Sequence, residues 1–191
     1  VMDKGGQSPD VFPHQISQWD STILLKINPG ILSPILNPIF KLVTFLGSTL
    51  AVAIFAALLY VAGYRREGIL ILATVIIGTL VLAPLKIAIH RPRPYLTLQE
   101  VVPLERETGM SFPSGHAERA FALASVLSNS SVKRLVLYSY AILIAFSRIY
   151  IGVHYPLDVI AGGFIGWVVG QITLRMESRI FSLVGKLRIG C

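Results

Sequence analysis

Residues 69–89 read ILILATVIIGTLVLAPLKIAI, an apolar run whose one charge, Lys86, stands near its end. A bilayer core is crossed by ~20 residues of helix, so this stretch predicts a spanning helix and a membrane protein around it. Upstream, Tyr64-Arg65-Arg66-Glu67-Gly68 forms a charged turn after a second apolar run at 47–63. Downstream comes a polar stretch, 90–113, punctuated by Pro92, Pro94, Pro103 and Pro113. Apolar helices are then expected at about 114–128, 135–150 and 157–174, separated by turns at 129–134 and 151–156.

The N-terminal part differs. Residues 16–28 put Ile16, Trp19, Ile23, Leu24 and Ile27 on one helical face, with Ser17, Asp20, Ser21 and Asn28 elsewhere. That pattern predicts an interfacial amphipathic helix, broken by Pro29-Gly30. Residues 31–46, limited by Pro34 and Pro38, are either a sixth spanning element or an interfacial lead-in. The expected fold is therefore all-α: a polytopic membrane helical bundle with five, or six, spanning helices plus the amphipathic helix. Its expected parts are a disordered or appended leader (1–15), an integral membrane domain (16–175) and a basic cytoplasmic tail (176–191).

Composition agrees. The 191 residues are 53% hydrophobic and 14% charged, with mean hydropathy +0.67, whereas soluble domains average ~25% charged. The net charge of +7 comes without a long basic run or a basic stripe interleaved with aromatics, which argues against nucleic acid. Cys191 is the single cysteine, so an internal disulfide and a thiolate metal cluster are both excluded.

Three polar clusters interrupt the apolar chain: Lys86 … Arg93-Pro94, then Pro113-Ser114-Gly115-His116, then Ser147-Arg148 … His154 … Asp158. Alternating the five spans puts all three on one face. The turns at 64–68 and 129–134 and the tail fall on the other, with Arg65, Arg66, Lys133, Arg134, Arg175, Arg179, Lys186 and Arg188 against Glu67 and Glu177. The positive-inside rule makes that basic side cytoplasmic and the clustered side extracytoplasmic. Each cluster alone also fits a loop anchor or a snorkelling side chain. Three on one face favour a shared site, because ionisable groups near membrane helices are functional candidates by default.

The residue types suit a phosphate. Lys86 and Arg93 lie two helical turns apart, facing alike if the helix continues that far. Ser114-Gly115-His116 opens a helix whose free N–H groups favour an anion, with Ser114 also readable as a plain N-cap. Asp158, one turn beyond His154, can accept a hydrogen bond from one imidazole nitrogen and leave the other free to attack. Arg148 can offer a two-pronged fork to phosphate oxygens. Glycines 162, 166 and 170 repeat every four residues and predict close helix packing.

Together these motifs resemble the type 2 phosphatidic acid phosphatase superfamily, over roughly residues 20–175. Its three-part signature is matched by Lys86 to Arg93-Pro94, by Pro113 to His116, and by Ser147-Arg148 to His154 and Asp158. The resemblance implies a membrane lipid phosphatase that needs no metal or other cofactor, acting on an isoprenyl diphosphate, phosphatidylglycerol phosphate or phosphatidic acid. It implies that His154 attacks phosphorus and forms a phosphohistidine, with Asp158 orienting it. His116 protonates the leaving oxygen and then activates water, while Lys86, Arg93, Arg148, Ser114 and the Gly115 N–H hold the phosphoryl oxygens. Glu118 and Arg119 depart from the small or apolar residues more usual after that histidine. They read as structural, with contact to a second phosphate as the alternative for Arg119. Two other functional classes compete: an oxidoreductase like the vanadate-dependent haloperoxidases, which are soluble, and an inactive lipid-binding relative. Implied partners are the lipid phosphate and the bilayer.

Overall fold

The structure, a computed structural model, describes residues 11–189. Among these are nine helices and no strand: α1 His14–Ile27, α2 Leu36–Leu46, α3 Thr49–Val61, α4 Arg65–Ile89, α5 Pro94–Thr97, α6 Gly115–Leu127, α7 Ser131–Tyr150, α8 Pro156–Arg175 and α9 Glu177–Ile189. The expected leader lies mostly outside the described residues, and α1 begins within its last positions. The expected tail is helical through α9, and Cys191 lies outside the described residues.

Helix α6 is the centre of the bundle and packs most extensively on α8, then on α7 and α4. Its inward positions are small: Ala117, Ala120, Ala122 and Ala124 are fully buried. From α8, the glycine row presents no side chain to α6. A Cβ on Gly162 would strike the Ser114 carbonyl, one on Gly166 the Glu118 carbonyl, and one on Gly170 the Ser125 Cβ at 2.5 Å. The expected small-residue packing is therefore present, and its consequence is positional. It presses the start of α8 against the start of α6, where two of the three motifs lie.

The outside is apolar. Ile76, Leu80 and Ile87 of α4, Ile142 of α7 and Phe164 of α8 are each more than half exposed, an oily jacket that belongs in lipid. Two helices have the length and apolarity of a span, α4 with its extension through Thr97 and α8; a third counts if α2 and α3, bent by 59°, are one broken span. The sequence led us to expect five. The difference lies in α6, whose 13 residues rise only about 20 Å against a ~30 Å core, and in α7, which carries Lys133, Arg134 and Arg148 at its ends.

Helix α1 also differs from expectation in its sense. Its buried line is Ser17, Asp20 and Leu24, while Ile16 and Trp19 point outward. Leu24, with Leu25 and Ile27 beside it, packs into the hydrophobic core, so the apolar positions of α1 divide between the protein and the outside.

Candidate active site

The end of α4, the starts of α6 and α8 and the end of α7 meet at one end of the bundle. Between them is a cavity of about 210 Å³, lined by Lys86, Arg93, Gly115, His116 and His154 from the expected set. Three further groups line it that the motifs do not contain: Glu107, Arg119 and the 108–110 backbone.

Lys86 and Arg93 reach this cavity by different routes. Helix α4 ends at Ile89 with His90 in the left-handed region (φ 50°), so Arg93 does not continue the helix as its spacing allowed. It arrives from the extended segment before α5. Lys86 donates from Nζ to the Met110 carbonyl at 2.8 Å. Arg93 donates to the carbonyls of Gly109 at 3.2 Å and Val153 at 3.1 Å, and pairs with Glu107 at 2.9 Å.

His154 sits in the turn before α8, 1% exposed. Its Nδ1 is 3.3 Å from Asp158 Oδ2, and its Nε2 faces the cavity, 3.2 Å from Arg93 Nη1. Asp158 also accepts from the Tyr155 backbone N–H at 2.9 Å, from Arg91 Nη1 at 2.7 Å and from the Ser111 hydroxyl. A carboxylate held by these donors has one orientation, and it fixes the imidazole with Nδ1–H donating and the Nε2 lone pair turned toward Arg93 and the cavity. Burial, ahead of all other effects, and then the nearby Arg148 bring His154 down to about 4, against the pull of Asp158. The ring is therefore neutral near pH 7.

Behind Asp158 the chain of charge continues. Arg91 Nη2 meets Asp20 Oδ2 at 2.7 Å, its guanidinium lies 3.8 Å from the Tyr155 ring centroid, and Asp20 Oδ1 accepts from the Leu157 N–H at 2.7 Å. The interfacial helix α1 is thus tied through Asp20 and Arg91 to Asp158 and to the first turn of α8.

The remaining expected residues are placed less directly. Arg148 is wholly buried behind the cavity, with Nη1 on Thr44 Oγ1 at 2.6 Å and Nη2 on Glu107. Glu107 therefore bridges Arg93 and Arg148, a carboxylate between two guanidinium groups. Burial would raise its pKa, but Arg148 and then Arg93 outweigh burial and hold it down at about 2. Ser114 is the N-cap of α6 without a capping bond, and its hydroxyl is buried without a hydrogen-bond partner. Its backbone N–H donates to the Asp158 carbonyl at 2.9 Å, locking the α6 start to α8. His116 has Arg119 Nη2 3.4 Å from its Nδ1. Glu118 is buried against Gly78, away from the cavity.

Sequence reading did not single out Asp20, Arg91, Glu107 or Ser111. Arg91 carried one available signal, a second Arg-Pro pair two residues before the motif's own. Glu107 and Ser111 sit in an irregular stretch where no periodicity places them.

Residues 66–182 match the PAP2 superfamily. Phosphatidylglycerophosphatase B of Bacillus subtilis is 32% identical over 166 residues, 77% of this chain and 78% of that protein. An undecaprenyl-diphosphatase of Sulfolobus acidocaldarius is 32% identical over 126 residues, 64% of this chain but only 61% of its own length. The crystal structure of Aquifex aeolicus LpxE superimposes with a TM-score of 0.76 at 31% identity, covering 82% of this chain and 95% of that one. With the family match, the relatives and the helical scaffold in agreement, the chain belongs to the PAP2 superfamily.

Proposed function

We propose that this protein is a membrane lipid phosphatase that works through a phosphohistidine on His154, without a metal ion. The observation that carries this reading is the aim of His154: Nδ1 toward Asp158, Nε2 toward a cavity with Lys86 and Arg93 on its wall. Relatives named as lipid phosphatases support the substrate class.

In the first step the Nε2 lone pair attacks phosphorus, the bond to the lipid-side oxygen breaks, and its electron pair leaves with that oxygen. Asp158 balances the charge that develops on the imidazole. His116, which also lines the cavity, gives its proton to the leaving oxygen. In the second step His116 takes a proton from water, the hydroxide attacks phosphorus, and the N–P electrons return to Nε2, releasing inorganic phosphate. Positioned acid–base groups contribute ~10²–10⁴-fold. Lys86 and Arg93, both on the cavity wall, stabilise the equatorial oxygens, each preorganised donor contributing roughly 3 kcal/mol, while Arg148 stands behind them and holds Glu107. The charge that a metal would supply elsewhere is carried here by fixed cations.

The same reading takes α3, α4, α6, α7 and α8 as crossing the bilayer, with the site on the extracytoplasmic side. The basic turns at the far end support that orientation. The test is phosphate release from phosphatidic acid and a polyprenyl diphosphate by detergent-solubilised protein in EDTA. Turnover with EDTA, abolished in folded His154→Ala, is expected. Wild-type rates in that variant, or an absolute need for added divalent metal, would overturn the proposal.

A further inference from the structure

Ser111 is fully buried in the irregular stretch before α6, and its contacts reach the His154–Asp158 pair. Its hydroxyl donates to Asp158 Oδ2, and its Oγ lies 3.4 Å from His154 Nδ1. Its backbone N–H donates to the Arg91 carbonyl at 2.8 Å. A serine hydroxyl has one proton and two lone pairs, and a carboxylate offers lone pairs alone. The single proton therefore goes to Asp158, and an Oγ lone pair is left for the imidazole.

The imidazole uses that second acceptor. Nδ1 stands 3.3 Å from Asp158 Oδ2 and 3.4 Å from Ser111 Oγ. Both distances are long for a hydrogen bond, so Nδ1–H is shared between two oxygens rather than held by one. At the other nitrogen, Nε2 faces Arg93 Nη1 at 3.2 Å, and a guanidinium can only donate. The tautomer is thus set from both sides. Asp158 Oδ2 in turn receives Ser111, the Tyr155 N–H and Nδ1–H, while Oδ1 takes Arg91.

The residues just before Ser111 grip the cations of the cavity. The carbonyls of Thr108 and Gly109 accept from Arg93 at 3.3 and 3.2 Å, and that of Met110 accepts from Lys86 Nζ at 2.8 Å. Gly109 has φ 81°, a left-handed turn that an L side chain would strain. One short strap of backbone, 108–111, therefore carries both cations on its carbonyls and the carboxylate partner of His154 on its last side chain.

We infer that Ser111 is a positioning residue for phosphoryl transfer: it fixes the His154–Asp158 pair and, through the strap, registers Nε2 against a phosphate held by Lys86 and Arg93. When Nε2 attacks phosphorus and the bond to the lipid-side oxygen breaks, the imidazole becomes positively charged. Nδ1–H stays on the ring, shared by the Asp158 carboxylate and the Ser111 lone pair. No bond to Ser111 forms or breaks. The inference rests on the phosphatase reading above and adds a residue to its machinery.

The test is Ser111→Ala in the full chain, in detergent, with phosphatidic acid as substrate and inorganic phosphate as competing ligand. The alanine removes the hydroxyl and leaves the strap carbonyls on Arg93 and Lys86. A fall in kcat of about 10–100-fold is expected, as for groups that orient a reacting side chain. The inhibition constant of inorganic phosphate should stay within about twofold of the wild type, the split expected when the lost interaction matters in the transition state alone. A kcat within about threefold of the wild type would overturn the inference. So would a phosphate affinity that weakens in step with kcat, which would make Ser111 a brace of the loop. Should Ser111→Ala fail to fold, Ser111→Cys, near in volume but a weaker donor and acceptor, is read in the same way. Phosphate release by the wild type with normal kcat in the variant sinks this inference and spares the phosphatase reading. A wild type that releases phosphate from no lipid phosphate sinks both.

Discussion

Arg91 meets Asp158 at 2.7 Å at one end of the bundle, and Arg66 meets Glu177 at 2.6 Å at the other. By length the two ion pairs are alike. By surroundings they are not: the first pair is 1% and 0% exposed, the second 48% and 30%. In the buried pair each partner is the other's replacement for water, so deleting one leaves an uncompensated charge that typically costs ~3–5 kcal/mol. In the exposed pair water takes over, and such pairs contribute ~0–1 kcal/mol. The contrast separates a fixed charge chain, Asp20–Arg91–Asp158–His154, that orients an imidazole from a surface contact that joins α4 to α9.

The contrast is broken most severely at Arg91. Arg91→Met should lower the midpoint of thermal unfolding in detergent, by about 3–5 kcal/mol in stability, and reduce kcat roughly 10–100-fold, as for groups that orient a reacting side chain. Normal turnover in that variant would show that Asp158 needs no outer support. A smaller effect is expected at Asp20. Asp20→Asn keeps the oxygen that receives the Leu157 N–H but removes the charge facing Arg91, so about 1–3 kcal/mol of stability should be lost, with α1 loosened before the rest of the bundle in hydrogen exchange.

Acid sharpens the comparison without mutation. His154 titrates at about 4 in the folded protein, against ~6.5 in an unfolded chain. Between those values the unfolded state binds the proton and the folded state does not, so the stability this neutral ring contributes is complete above pH ~6.5 and is lost as pH falls toward 4. The acid limb of kcat/KM assigned to the nucleophile should lie near pH 4, and a limb near 6.5 would mean an imidazole more exposed to water than this one. The least effect is expected at the far end, where Glu177→Gln should change stability by less than about 1 kcal/mol and leave kcat alone.

What could be read from sequence follows the range of the interactions. The helices of the bundle were legible because apolar runs and Pro/Gly breaks are local, and the glycine row of α8 was legible because its period is. Lys86, Arg93, Ser114, Gly115, His116, Arg148, His154 and Asp158 were legible as a set because short motifs mark them. Their convergence on one end followed from counting helices, and that end does hold the cavity. The charge chain was not legible, since Asp20 acts on Leu157 across 137 positions and Ser111 on Asp158 across 47. Nor did the division of α1 show, with Leu24 and Ile27 inward and Ile16 and Trp19 outward, because its pattern is the same whichever side meets the protein. The number of helices with the length and apolarity of a span is smaller than the apolar runs suggested, because α6 has only 13 residues and is enclosed by its neighbours.

The account depends on His154 taking the phosphoryl group. Brief reaction with a ³²P-labelled lipid phosphate, an alkaline quench and peptide mapping would test this directly. The account predicts acid-labile, base-stable label on the peptide carrying His154, lost in His154→Ala and accumulating in His116→Ala, where the water step is slowed. Label on another residue, or steady turnover with none on His154, would contradict it.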